Sequence, residues 1–178
     1  MRRRTIMIFP EFENIEIIND IRKKYDPLTN LVSPHITLVF PFDSQLTDKE
    51  LHLYLKKCLN DIQPFEIELK GFDKQVNKYG NYLFLNVVQG MDIIRNIHDR
   101  LHKDKLKQLD VGYNYVPHMT VGNLPSMDLL DKAFNDVNKC DDRFSTVIKT
   151  ISVEMIGEHE ESIIIIEHEL ISRNLTRY

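Results

Sequence analysis

The sequence carries one five-residue phrase twice: Pro34-His35-Ile36-Thr37-Leu38 and Pro117-His118-Met119-Thr120-Val121. Each phrase lies in a short apolar, β-branched run, Leu31 to Phe40 and Tyr115 to Leu124, that reads as a strand. Side chains alternate along a strand, so His35 and Thr37 point one way while Ile36 and Leu38 point the other. His118 and Thr120 are opposed to Met119 and Val121 in the same manner. Each strand is therefore expected to present an imidazole beside a hydroxyl on one face and to anchor itself by aliphatic side chains on the other. A fold that contains this chain must accommodate both copies.

The flanking elements repeat as well. Thr5 to Phe9 is a short apolar run closed by Pro10, and Glu11 to Lys24 comes next with Phe12, Ile15, Ile18 and Ile21 at a helical period. Its acidic start and basic end suit the helix dipole. After the first motif strand, Thr47 and Glu50 form a capping box for a second helix, and Phe65 to Leu69 alternates as a half-buried strand. Asn77 to Asn81 is a turn, and the order begins again. Tyr82 to Val88 is predicted as a strand, Met91 to Lys107 as a helix, and Met127 to Asn138 as a helix beyond the second motif strand. A long strand, Phe144 to Met155, and a final one, Ser162 to Ile171, complete the chain.

Each half thus runs strand, helix, motif strand, helix, strand, with the motif histidines 83 residues apart. The expectation is an α+β fold built as one domain over residues 1–178, with an internal repeat of roughly 1–75 and 80–171. Two pseudo-symmetric lobes of antiparallel sheet, helices on their outer faces, would enclose a central groove. The 178 residues suffice for a sizeable core.

Composition bounds the partners. The chain has 23 basic and 27 acidic side chains, a net charge of −4, which argues against broad electrostatic gripping of duplex DNA. Arg2-Arg3-Arg4 reads as a solvated terminus, with attraction of an RNA end as the alternative. Cys58 and Cys140 lack metal-ligand spacing and read as reduced thiols of a cytoplasmic protein, and no apolar run approaches a membrane span. A monomer is expected.

Histidine is the side chain best placed to give or take a proton near neutral pH. Two of them flanking a phosphate can divide the labour, one accepting a proton from the attacking oxygen and the other donating one to the departing oxygen. Thr37 and Thr120, on the same faces, can hydrogen-bond non-bridging phosphate oxygens. The scheme needs neither metal nor cofactor. Aromatic side chains near the motif strands, Phe42, Tyr82, Tyr113 and Tyr115, are candidates for stacking on a nucleobase, with plain core or hairpin packing as the alternative.

Paired His-x-Thr-aliphatic motifs, one in each half of a chain this long, resemble the two-histidine (2H) phosphoesterase superfamily, and within it the bacterial 2′-5′ RNA ligase and cyclic phosphodiesterase-like branch. The resemblance implies a two-lobed fold with both motif strands facing one groove. It also implies action on a 2′,3′-cyclic phosphate or a 2′-5′ linked nucleotide or RNA end, with His35 and His118 catalytic and Thr37 and Thr120 on the phosphate. It makes His35 the acid and His118 the base, although the apolar run after His35 argues for the reverse. Much of the branch has an Arg soon after the second motif. Here Gly122-Asn123 stands in that place, which weakens ligation more than hydrolysis and keeps open a non-catalytic module that binds a nucleotide or RNA end. Gly122 either leaves room for a ligand or marks a bulge. His98 and His102 have the i, i+4 spacing of a helical metal pair, yet border an apolar stripe, so a packed helix face is the better reading.

Overall fold

The computed structural model describes residues 2–110, 112 and 114–171. Their elements run β1 (Arg2–Ile8), α1 (Ile15–Tyr25), β2 (Ile36–Ser44), α2 (Asp48–Cys58), β3 (Phe65–Asn77), β4 (Gly80–Gln89), α3 (Met91–Leu101), β5 (His118–Leu124), α4 (Met127–Val137), β6 (Phe144–Ile148), β7 (Thr150–Ile156) and β8 (Ser162–Glu169), with a short 3-10 turn at Lys107–Leu109. The strands form one curled antiparallel sheet in the order β6-β3-β4-β5-β2-β1-β7-β8. Its centre is the meeting of the two motif strands, so the expected α+β fold of two pseudo-symmetric lobes is present.

The lobes are interleaved rather than laid end to end. β3, the last strand of the first half, pairs with β4 and β6 of the second. In return, β7 of the second half pairs with β1 of the first. The helices cross likewise. α1 packs on β5, while α3 packs on β2. α4 joins α1 behind β3, β4 and β5, and α2 lies against β8 and α3.

Local chemistry sets these elements. Thr47 accepts from the Glu50 backbone N–H while the Glu50 carboxylate accepts from that of Thr47, the capping box expected for α2. Ser126 caps α4 through the Leu129 N–H. Every second residue of β4, namely Leu83, Leu85 and Val87, is buried beneath the helices, and the alternating Tyr82, Phe84 and Asn86 line the opposite face. Ile36, Leu38, Met119 and Val121 are fully buried in the same core.

Several boundaries differ from expectation. Arg2 to Arg4 is strand rather than a loose end. Arg4 is buried, donates to the Leu46 carbonyl and pairs with Asp48 at the start of α2. The third helix stops at Leu101, where His102 caps it, instead of running to Lys107. The long strand from Phe144 is broken at Lys149, which links an edge strand of one lobe to the other lobe. No helix among the described residues is long and apolar enough to cross a membrane.

Candidate active site

β2 and β5 are joined antiparallel at Ile36 and Met119. Carrying that register one residue in each direction sets His35 opposite Thr120 and Thr37 opposite His118. A diagonal quartet results, imidazole across from hydroxyl on both sides, where the two lobes meet. All four side chains are half-buried.

Both motif strands bulge at the same point. Met7 faces Thr37 and Ile6 faces Val39, so Leu38 is the extra residue on β2. Phe84 faces Thr120 and Leu83 faces Gly122, so Val121 is the extra residue on β5. A bulge turns the chain by one residue and re-aims the side chains beyond it. Gly122 is therefore on the helix face. A Cβ there would come within 3.0 Å of the Tyr25 Cβ, so the glycine accommodates α1 rather than a ligand. Past the bulge, Asn123 pairs with Tyr82, whose alternation puts it on the groove face.

The prolines of the phrase account for how the imidazoles are held. A residue that precedes proline is pushed into extended backbone. Here those residues are Ser33 and Val116, and their carbonyls accept from Nδ1 of His35 at 2.9 Å and of His118 at 2.7 Å. A carbonyl can only accept, so Nδ1 carries the proton in both rings and Nε2 of each neutral imidazole is left with its lone pair. These two carbonyls are part of the site that sequence reasoning did not name, and the prolines were their only signal.

Burial lowers the pKa of both histidines. For His35 burial is the largest cause; the Ser33 carbonyl opposes it, Arg22 and His118 add to it, and Asp26 opposes it. For His118 burial acts against the Val116 carbonyl. Arg22 and Asp26 are themselves a buried pair at 2.7 Å, and the Arg22 guanidinium also donates to the Val32 carbonyl at 2.8 Å, fixing the loop that enters the first motif.

The stacking candidates divide. Tyr82 stands on the groove face, its ring 5.9 Å from that of Phe84, and its hydroxyl donates to the Tyr79 carbonyl. Phe84, absent from the sequence-based candidates, lies flat on His118 with centroids 3.7 Å apart. Phe42 is 5% exposed and belongs to the core, which corrects its assignment as a base-stacking residue. Tyr115 is also corrected. Its ring is stacked on His98 at 4.0 Å and its hydroxyl is bonded to the Thr37 carbonyl, so both are committed to packing. Tyr113 lies outside the described residues. Phe40, 60% exposed on β2, is an aromatic the sequence reading passed over.

His98 and His102 serve as packing side chains. His98 is stacked on Tyr115, and His102 Nδ1 donates to the His98 carbonyl at 2.8 Å. Among the described residues no three His, Cys, Asp or Glu side chains converge as a metal site. Cys58 and Cys140 are both free thiols. A cavity of about 990 Å³ opens behind Phe9 and Ser33, the residues against His35, but neither motif histidine lines it.

Residues 9–156 match the family model of the 2′-5′ RNA ligase superfamily. A protein of Bacillus pumilus, provisionally named a phosphoesterase, is 28% identical over 159 residues, 89% of this chain and 82% of its own. A Bacillus mycoides protein of the same provisional name is 31% identical over 137 residues, 74% of this chain and 73% of its own. The crystal structure of apo LigT from E. coli superposes with a TM-score of 0.59 at 14% identity, covering 96% of this chain and 98% of LigT. LigT has also been crystallised with ATP, 3′-AMP, NADP+ and phosphate. The fold, the duplicated motif and the family match agree, and the chain belongs to the 2′-5′ RNA ligase superfamily, the two-histidine phosphoesterases.

Proposed function

We propose that the chain hydrolyses a 2′,3′-cyclic phosphate or a 2′-5′ linkage on a nucleotide or RNA end, using His35 and His118 as its acid–base pair. The observation that carries this reading is the diagonal quartet. Each imidazole is locked by its Nδ1 to a backbone carbonyl, leaving Nε2 for proton transfer, and each has a threonine across the strand pair. A phosphate seated between the strands would take hydrogen bonds from Thr37 and Thr120 on its non-bridging oxygens, where charge grows. One Nε2 would accept the proton of the attacking water and the other would protonate the departing ribose oxygen. Both proton transfers are covered by side chains of the protein, so the scheme is metal-independent. That LigT has been crystallised with ATP, 3′-AMP and NADP+ supports a nucleotide as the ligand.

Hydrolysis fits this groove better than ligation, because Asn123 stands where an Arg clamp is expected from the family resemblance. The same absence favours a second reading, a module that binds a nucleotide or RNA end without turnover. An RNA oligonucleotide ending in a 2′,3′-cyclic phosphate separates the two. Incubated with chelator, it should be opened to a monoester, and His35→Ala or His118→Ala should lower the rate by about 10²–10⁴. Tight binding with no product would establish the second reading instead.

A further inference from the structure

The two imidazoles are matched in their hydrogen bonds but not in what covers their faces. Phe84 stacks on His118 with centroids 3.7 Å apart and planes inclined by 21°. Tyr82 extends the row beyond Phe84 at 5.9 Å and 24°. Phe84 is the cross-strand partner of Thr120, and the corresponding partner of Thr37 on β1 is Met7. Among the described aromatic rings, the one against His35 is Phe9, tilted by 54° at 6.0 Å. His118 is thus fixed in plane and in rotation, whereas His35 has its hydrogen bond and a more distant, tilted ring.

An aromatic face attracts a cation, and a desolvated one at this distance does so most effectively. An imidazolium at His118 would rest on that face; one at His35 would not. The other groups around His118 are Asn86, its partner on β4, which donates to Asp73 at 3.0 Å, and Thr37 and His35 on the motif strand opposite. Around His35 stand Arg22 and Asp26, whose opposite charges act on it in opposite directions.

We propose that Phe84 is a positioning residue that makes His118 the member of the pair holding the proton before reaction, so that His118 is the acid and His35 the base. The proposal rests on the phosphoesterase reading and reverses the roles that the family resemblance implies. In hydrolysis of a cyclic phosphate, the water oxygen forms a bond to phosphorus and its proton passes to Nε2 of His35. The bond from phosphorus to one ribose oxygen breaks, and that oxygen takes the proton from Nε2 of His118. Water has then been added across one P–O bond, and the two imidazoles exchange their protons with solvent before the next turnover.

The first test needs no turnover. Nitrogen-15 NMR of the two imidazoles is tracked against pH in the wild type and in Phe84→Met, which copies the Met7 side of the groove. The His118 midpoint should fall by about 0.5–1.5 pH in Phe84→Met and in Phe84→Leu, stay in place in Phe84→Tyr, and leave His35 unmoved. An unmoved His118 in both Phe84→Met and Phe84→Leu, or an equal fall in Phe84→Tyr, would overturn the role of the ring. The second test compares an ordinary ribose ester with one whose activated leaving group needs no proton. His118→Ala should be rescued by the activated substrate and His35→Ala should not; the opposite pattern overturns the assignment of the acid. A wild type that turns over neither substrate counts against the phosphoesterase reading, while the titration still decides what Phe84 does.

Discussion

The hydroxyl of Tyr115 donates to the backbone carbonyl of Thr37 at 2.7 Å, tying the approach to one motif strand to the start of the other. The bond crosses from the lobe of His118 to the lobe of His35, beside the one pair of residues that joins β2 to β5. Tyr115→Phe keeps the ring on His98 and removes only this tie. It should cost about 1–3 kcal/mol in chemical denaturation, because the carbonyl loses its partner in a buried setting. Burial also pushes the phenol pKa far above its ordinary value, so Tyr115 should stay silent in an ultraviolet titration of the folded protein. An unchanged denaturation midpoint would show that the lobes do not depend on the tie.

Arg22 and Asp26 form a buried ion pair, with side chains 1% and 5% exposed. Arg22→Leu strands a carboxylate in the interior and frees the Val32 carbonyl, and should destabilise the fold by about 3–5 kcal/mol. The double variant Arg22→Leu/Asp26→Leu should recover a large part of that loss. A double variant as unstable as the single one would place the defect in packing rather than in the orphaned charge.

Acid should loosen the fold through its histidines. Burial is the first cause of the lowered pKa of His35, His98, His118 and His168. Each binds its proton more readily in the unfolded chain, near pH 6.5, so stability rises with pH across this range. It should be full above about pH 6.5 and fall as pH drops from there toward the folded midpoints. Glu154 acts oppositely, since burial raises its pKa and its share of stability is lost as pH rises above about 4.5. Urea midpoints between pH 7.5 and pH 5.5 in a Glu154→Gln background would isolate the histidines. A midpoint that holds or climbs toward pH 5.5 contradicts the argument.

Gly90 opens α3 at φ 83°, a conformation that favours glycine, and a Cβ there would come 2.6 Å from the Glu66 carbonyl oxygen. Gly90→Ala should therefore cost about 1–3 kcal/mol from backbone strain alone, with the contact adding to it. The start of the helix should be displaced from Glu66 and Ile67, visible as faster amide exchange from Met91 onward. Unaltered exchange would mean that β3 yields to the methyl group at little cost.

The parts of the fold that one face of periodic apolar residues dictates were readable in the sequence. Helices α2 and α4 fall where Thr47 and Leu130, Ala133 and Val137 place them. The second half of β3 was missed, because Asp73-Lys74-Gln75 is polar on both faces and is held by pairing to β4 rather than by burial. The helix predicted to Lys107 ends at Leu101 with His102 as its cap, although helix-forming lysines continue and Leu106 is buried beyond it. In the site, His35, Thr37, His118 and Thr120 were legible because a strand period needs no knowledge of tertiary contacts. Phe84 was not, since only the register between β4 and β5 brings it to His118. Phe42 was misplaced for the same kind of reason. Two bulges in β2, at Leu38 and again beyond Val39, decide which face each later residue takes.

Interleaving has a consequence for what half of this chain could be. A fragment ending at Asn77 would hold β3 with no strand of its own to receive it, since both neighbours of β3 come from the other half. Two copies of a symmetrised half would complete one another by exchanging that strand and the crossing helix, as a domain-swapped pair does. The six strands β3-β4-β5-β2-β1-β7 would then have the connectivity of a swapped dimer, made covalent by the two-residue turn Lys78-Tyr79 between β3 and β4.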